Sequence, residues 1–184
     1  MRAINNFESV QATTGEFNKP TAGGYCIEIL AVKDVPMNAQ TGKGDYLKID
    51  YDICHGEFAG YYTKQNEKFG GDWFAHFIRS YKETAAGMFK HFINCVEESN
   101  AGYKWAWDEK SLGHKYVGVV LGEEEYRKNN GDIGVKLVVK DIKTTEQILK
   151  GEFKVPAIKK LEENASVPSA PNFVEIGNDE SLPF

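Results

Sequence analysis

The chain has 184 residues, with 22 Lys and Arg against 27 Asp and Glu and a net charge of −5, and this length favours one domain with a short appendage. The longest apolar runs, such as Val117–Leu121, are far shorter than the roughly 20 residues that span a bilayer. The opening residues lack the apolar segment of a signal peptide, and the three cysteines show no paired spacing. These features argue against a membrane span and a disulfide scaffold, and they predict a cytoplasmic protein.

The first third of the chain predicts an arm and two strands. Residues 1–23 are polar and predict an irregular N-terminal arm. Gly-Gly precedes Tyr25–Lys33, whose aromatic and β-branched content predicts a first strand. A loop rich in turn formers, residues 36–45, leads to a second strand, Tyr46–Cys54. Alternation in that strand separates an apolar from a polar face, with Leu47, Ile49, Tyr51 and Ile53 on one and Lys48, Asp50 and Asp52 on the other.

The middle of the chain changes to a helical period. His55-Gly56-Glu57 predicts a tight hairpin turn, and Phe58–Lys64 is then the returning third strand. Two helical segments follow, Trp73–Tyr81 and Ala85–Ser99, and the second of them has one apolar face. The aromatic segment Tyr103–Trp107 has no clear assignment.

Two further strands are predicted in the last third. They are Lys115–Leu121 and Ile133–Asp141, and the polar connection between them, residues 122–132, closes on the hairpin signal Asn130-Gly131. A short helix is predicted over Thr144–Lys150.

Three strands, a helical segment and two strands are the element order of the oligonucleotide-binding (OB) fold. That fold is a five-stranded β-barrel, here with the helix between strands 3 and 4, and other small α+β sheets share the order. We therefore expect a mainly β domain over residues 24–161, after the arm of residues 1–23. Residues 162–184 predict a disordered tail, because they contain few apolar residues and Asn164–Asn178 includes Pro168 and Pro171.

The charge is divided unevenly between body and tail. After Leu161 the chain has no Lys or Arg and five acids, Glu162, Glu163, Glu175, Asp179 and Glu180. Residues 1–161 therefore hold 22 basic and 22 acidic side chains. A neutral body can still carry a basic stripe, because electrostatic binding depends on local fields.

The last residues combine acids, an aliphatic residue, a proline and a terminal phenylalanine. A terminal phenylalanine offers a ring for an apolar pocket and a carboxylate for a basic partner group. Acids nearby speed the encounter with a basic rim, and proline limits the conformations lost on docking. The residues of this predicted partner-binding tip are Asp179, Glu180, Leu182, Pro183 and Phe184.

This tip resembles the C-terminal tip of bacterial and phage single-stranded DNA-binding proteins. Ser181 departs from the family, which usually has a further acid at that place. The body, over about residues 20–160, resembles phage proteins of this kind with an OB fold. The shared elements are Gly23-Gly24-Tyr25, the strand pair around Gly56-Glu57, and Lys115–Val119 followed by Glu124-Glu125-Tyr126.

The resemblance implies a phage or prophage protein that is not an enzyme. Such proteins cover exposed single strands without strong sequence preference, and they recruit replication, recombination or repair proteins through the tip. No cofactor is expected, and the sequence has neither a glycine-rich phosphate loop nor a nucleophile elbow. Members of that family include monomers, dimers and tetramers, so the resemblance is compatible with a homo-oligomer.

Single-strand binding requires cations and aromatic faces, each stacked base contributing ~1–3 kcal/mol. In OB folds the surface is built on strands 2 and 3 and on the loops between strands 1–2 and 4–5. The predicted contacts are Lys43, Tyr46, Lys48, Tyr62, Lys64, Lys68, Phe69, Trp105, Trp107, Tyr126, Arg127 and Lys128. Trp105 and Trp107 could instead cap the helix against the barrel. The acids Asp50 and Asp52 would repel phosphate at this surface.

Three other functions stay open. A divalent-metal nuclease could use Asp50, Asp52 and Glu57 with Lys64 nearby. A zinc site could use His91 and Cys95, one helical turn apart, with Cys54-His55. A protein-interaction module or structural phage protein would use the tip and bind no DNA.

The charge division adds a hypothesis about regulation. If the body carries a basic groove, the acidic tail competes with DNA for it, and removing the tail tightens binding.

Overall fold

The computed structural model describes residues 18–161. Its strands are β1 Gly23–Val35, β2 Tyr46–Ile53, β3 His76–Ser80, β4 Tyr116–Arg127 and β5 Ile133–Lys143. Its helices are α1 Tyr61–Phe69, α2 Ala86–Ser99 and α3 Thr145–Leu149, with 3₁₀ turns at Glu83–Ala85 and Glu109–Leu112. Within this described stretch, the helices are too short or too polar to cross a membrane.

The strands form one five-stranded sheet in the order β3-β2-β1-β4-β5. Every neighbouring pair is antiparallel. The central strand β1 pairs with β2 along most of its length and with β4 through Gly23–Glu28. Helix α2 lies between β3 and β4 in the chain. The predicted mainly β architecture, with a helix between strands 3 and 4, is therefore confirmed.

The core lies where the apolar face of β2 meets α2. Leu47, Ile49, Tyr51 and Ile53 are all buried, as their alternation predicts. Phe92 and Val96 of α2 are buried in the same cluster, one helical turn apart. The amphipathic pattern of this helix thus positions it across the sheet.

The predicted third strand and the first predicted helix are both wrong. Phe58–Lys64 is a loop that runs into α1, so residues 55–57 do not form a hairpin. The third strand is instead β3, inside the segment Trp73–Tyr81, and it pairs with β2 through Tyr46–Asp50. The helix between the third and fourth strands was predicted, but the third strand was placed in the wrong segment and α1, between β2 and β3, was not predicted.

A tertiary contact explains why α1 begins where it does. The carboxylate of Asp52 accepts hydrogen bonds from the backbone N–H groups of Tyr62, at 3.0 Å, and Thr63, at 2.9 Å. These are orphan donors of the first helical turn, and a carboxylate also complements the helix dipole. Because the cap comes from a residue ten positions earlier, no local pattern in Phe58–Lys64 reveals it.

The second half follows the prediction more closely. β4 extends to Arg127, so only residues 128–132 form the hairpin, which turns at Asn130-Gly131 as predicted. Gly131 has a φ of 90°, a conformation that favours glycine. Helix α3 lies within the predicted Thr144–Lys150 and begins with a capping box between Thr144 and Gln147.

The two edges of the sheet approach each other. β3 and β5 are the edge strands, yet residues of both line one groove of about 490 Å³. We call this the seam groove, and its lining includes Ala75 and His76 on one side and Val135–Val138 on the other. Between the described residues of β3 and β5 there is no strand pairing. The sheet is therefore strongly curved, which is what a right-handed twist accumulates to over five strands.

Candidate nucleic-acid interface

Four aromatic rings line a second groove, of about 510 Å³, at the end of the sheet where β2 begins and β3 ends. They are Tyr81, Phe89, Trp105 and Trp107, and we call the site the aromatic groove. The ring centroids of Tyr81 and Phe89 are 5.7 Å apart. Those of Phe89 and Trp107 are 6.4 Å apart, with the planes at 14°. The rings thus form a continuous aromatic surface within contact distance of one another.

The four rings come from three separate parts of the chain. Tyr81 directly follows β3, and its backbone N–H donates to the carbonyl of Asp45, at 3.1 Å, just before β2. Phe89 is on the first turns of α2. Trp105 and Trp107 belong to the segment after α2. The groove therefore exists only once α2 has packed on the sheet.

Glu97 on α2 holds the tryptophan segment in place. Its carboxylate accepts the backbone N–H of Trp105, at 2.8 Å, and the ammonium of Lys104, at 2.8 Å. The hydrogen bond from Lys104, and then that from Trp105, hold the pKa of Glu97 below its ordinary value. The carboxylate is therefore ionised near neutral pH, in the state that accepts both bonds.

The two tryptophans occupy different environments. Trp105 is half-buried and packs against the core, so the helix-capping alternative describes this residue. Trp107 is 79% exposed, and its backbone has a φ of 61°. A left-handed conformation costs a bulky residue ~1–3 kcal/mol, and an exposed ring buries little apolar area. Neither feature stabilises the fold, and both are typical of a site that contacts a ligand.

Lysines surround this end of the sheet. Lys90 lines the aromatic groove, and Lys82 follows Tyr81. Lys43 is exposed in the loop before β2, and Tyr46 is half-buried at the start of that strand. An acid is present too, since Asp34 lies near Tyr81. Burial, and then the carboxylate of Asp34, raise the pKa of Tyr81 to about 12.

A second row of side chains crosses the outer face of the sheet. Lys48 on β2 lies opposite Lys33 on β1 and Ile78 on β3, so the three share one face. Lys48 also pairs with Asp50 at 3.2 Å, which reduces its free charge. This row adjoins the aromatic groove because Tyr46, two residues before Lys48, pairs with Ser80.

The structure does not bring all the predicted contacts together. Tyr126, Arg127 and Lys128 lie at the β4–β5 hairpin, where the guanidinium of Arg127 donates to the carbonyl of Gly131 at 3.3 Å. β4 runs past the beginning of β1 after Leu121. The hairpin is therefore at the opposite end of β1 from the loop that carries Lys43.

The predicted contacts after β2 are on helix α1 instead of a strand. Tyr62 is only 6% exposed and packs edge-on against Tyr51, with centroids 5.7 Å apart. Burial raises the pKa of Tyr62 to about 12, so its ring belongs to the core. Lys64 donates to the carbonyl of Ala59 at 3.3 Å.

At the end of the same helix, Lys68 lies 5.2 Å from the ring centroid of Phe69. Phe69 is largely exposed, and neither residue lines the aromatic groove.

The acids and thiols of the metal alternatives have other partners. Asp52 is 5% exposed and accepts the α1 hydrogen bonds described above, so it neither faces phosphate nor is free for a metal. A ring nitrogen of His91 lies 2.9 Å from the carbonyl of Ile142. Burial raises the pKa of Cys95 to about 11, and that of Cys54 likewise, which disfavours the thiolate that zinc requires.

Among residues 18–161, no group of three or more His, Cys, Asp and Glu side chains is arranged to hold a metal ion. His55 follows β2, whereas His91 and Cys95 are on α2, so the predicted zinc ligands are not assembled.

The sequence analysis did not predict several residues of the site. Phe89 was interpreted as part of an apolar helix face, and Tyr81 as the end of a helix. Lys33, Lys82 and Lys90 carried no distinguishing pattern, although an aromatic residue directly followed by a lysine, as in Tyr81-Lys82, was an available signal.

The predicted tip, Asp179, Glu180, Leu182, Pro183 and Phe184, lies outside the described residues, as does the arm before residue 18. The structure shows where the tail leaves the body. The backbone of Lys159 bonds to those of Glu123 and Glu125 on β4, both at 2.9 Å. The N–H of Leu161 then donates to the Glu125 carboxylate at 3.0 Å.

Comparison with known proteins adds no assignment. No protein-family model matches the chain, and no curated protein matches its sequence.

Proposed function

We propose that the chain is a sequence-nonspecific single-stranded DNA-binding protein with an OB-type barrel. The sheet order β3-β2-β1-β4-β5 and the helix between β3 and β4 support this fold. The approach of the two edge strands across the seam groove also supports it, because the OB fold is a five-stranded barrel that is only partly open.

The observation that carries the proposal is the exposed, strained Trp107 beside three further rings. Bases stack on such rings with ~1–3 kcal/mol each, with little regard to sequence. Lys90 lines the same groove, Lys82 follows Tyr81, and Lys43 lies in the loop before β2; these lysines would contact phosphates. The protein then covers a strand through stacking and charge, and it performs no reaction.

The tail has a separate role in this proposal. The tip recruits replication, recombination or repair proteins in the cytoplasm of a bacterial host, as the resemblance implies. The acidic tail also competes with DNA for the lysines of the body.

The first test measures fluorescence anisotropy of a labelled dT oligonucleotide of about 20 nucleotides, longer than the ~4–16 that one OB fold covers. We expect binding that weakens steeply as salt rises, because phosphate contacts release counterions. Trp107→Ala should raise the Kd about 5- to 150-fold, which is ~1–3 kcal/mol. Leu149→Ala is the matched control, since Leu149 is similarly exposed on α3 and lines neither groove.

The outcomes separate the alternatives. No binding at low salt refutes DNA binding and favours the protein-interaction module. Binding that Trp107→Ala leaves unchanged refutes the aromatic groove. A chain ending at Gly177 should bind more tightly than the full chain, and equal or weaker binding contradicts the competing tail.

A further inference from the structure

The seam groove presents a second exposed ring. Phe74 is 57% exposed at its mouth, and its ring packs edge-on against the buried Tyr62, with centroids 5.5 Å apart. Tyr61, also lining the groove, packs on the other side of Tyr62 at 5.3 Å. Tyr51 lines the groove too and contacts Tyr62 at 5.7 Å, so four contacting aromatic rings line it, and Phe74 presents most of its surface to solvent.

Charges at the seam groove are mixed, with cations in excess. Lys19 and Lys136 line it, together with one acid, Glu123. The ammonium of Lys136 lies 3.8 Å from the Glu124 carboxylate, and the Lys136 side chain is 53% exposed. Gln65 and His76 supply neutral polar groups. An apolar, aromatic site with cations at its margin suits a nucleobase and the phosphate attached to it.

Strand β3 connects the two grooves. Phe74 stands two residues before β3 and Tyr81 one residue after it. Tyr81 is seven positions after Phe74, so the two residues are at most ~23 Å apart at a rise of ~3.3 Å per position. The outer face of β3 between them shows His76 and Ile78, and Lys48 lies opposite Ile78 on β2. The direct route from one aromatic site to the other therefore passes Lys48 and its ion-pair partner Asp50, which lies opposite His76.

We propose that the seam groove is a second base-stacking site for the same single strand, which follows the outer face of β3 from the aromatic groove to Phe74. The inference rests on the proposed function. It favours nucleic acid as the occupant because the groove continues the aromatic and cationic surface along β3. At the stacked rise of ~3.4 Å per nucleotide, the ~23 Å between sites spans about seven nucleotides, and an extended strand needs fewer.

The length dependence makes the proposal testable. A trinucleotide can occupy one site, whereas a dodecanucleotide can occupy both. Titrations with dT3 and dT12, followed by tryptophan fluorescence, should therefore respond differently to the two grooves. Phe74→Leu should raise the Kd for dT12 about 5- to 150-fold and leave that for dT3 unchanged. Trp107→Ala should weaken both.

Two further variants guard the result against loss of fold. Phe74→Leu keeps apolar bulk over Tyr62, and its thermal unfolding should match that of the wild type. Phe74→Trp restores a ring and should restore tight dT12 binding. Leu149→Ala serves again as the exposed apolar control.

Each outcome bears on a different claim. If wild type binds neither oligonucleotide, both the function and the second site are refuted. If wild type binds both and Phe74→Leu binds dT12 equally well, the second site alone is refuted. If Phe74→Leu weakens dT3 as much as dT12, the two rings belong to one site, and the separation along β3 is wrong.

Discussion

Removing the Asp52 carboxylate should destabilise the fold far more than removing its neighbour Asp50. Asp52 accepts the backbone N–H groups of Ile53, Tyr62 and Thr63 at 2.8, 3.0 and 2.9 Å, together with the Thr63 hydroxyl. It is thus the acceptor for the first turn of α1, and it holds that helix on β2.

The magnitude follows from the donors left unpaired. A hydrogen bond to a charged acceptor contributes ~1.5–3 kcal/mol when the site is buried, whereas an exposed helix cap contributes ~0.5–2 kcal/mol. Asp52→Ala leaves two N–H donors of the helix without an acceptor, one of them on the buried Tyr62. We therefore expect the free energy of unfolding to fall by about 3 kcal/mol. Asp52→Asn keeps one carbonyl oxygen and should lose about half as much.

Asp50 is the matched control, two residues away on the same strand. Its carboxylate pairs with Lys48 in a partly exposed ion pair, which contributes about 0–1 kcal/mol. Urea unfolding followed by circular dichroism gives the free energy of unfolding for Asp52→Ala, Asp52→Asn and Asp50→Asn. If Asp52→Ala loses less than about 1 kcal/mol, or no more than Asp50→Asn, then Asp52 is not the anchor of α1.

Two further predictions concern stability. Gly118→Ala should destabilise by at least ~2 kcal/mol, because an added Cβ would lie 2.5 Å from Cγ1 of Ile148 and 2.6 Å from the carbonyl of Thr144. Gly87→Ala on α2, with open space around its Cβ, should stabilise by up to ~1 kcal/mol. If the melting temperatures of Gly118→Ala and Gly87→Ala shift in the same direction, the packing around these two glycines is contradicted. Burial also raises the pKa of Cys95 from 9.0 to about 11, so the fold favours the neutral thiol, and stability should fall as pH rises from 9 through 11. Cys95→Ala should reduce that fall in urea unfolding at pH 8, 9, 10 and 11, and an unchanged slope would exclude the thiol as its source.

The candidate site shows how far individual residues could be judged from the chain alone. Trp107 was predicted as a DNA contact because aromatic residues alternate in its segment. Its exposure and left-handed backbone appear only in the structure. Tyr62 was predicted as a contact from its place on the expected third strand, and it is buried. Neighbouring tyrosines point apart, and only the packed helix decides which one is core.

Short-range features of the fold were determined by the sequence itself. The alternation of β2, the apolar face of α2, the Asn130-Gly131 hairpin and the cap at Thr144 all follow from residues within one turn or one strand. These signals are local because side-chain direction repeats every two residues in a strand and every 3.6 in a helix.

The tertiary structure decided the rest. Whether residues 58–64 form a strand or lead into a helix depended on Asp52, and whether residues 76–80 form a strand depended on the free edge of β2. The aromatic groove joins rings from β3, α2 and the segment after it, and the seam groove joins both edges of the sheet. Such contacts form between residues distant in the chain, so they stabilise these elements only once the chain has packed. Local propensity within a single segment therefore does not predict them.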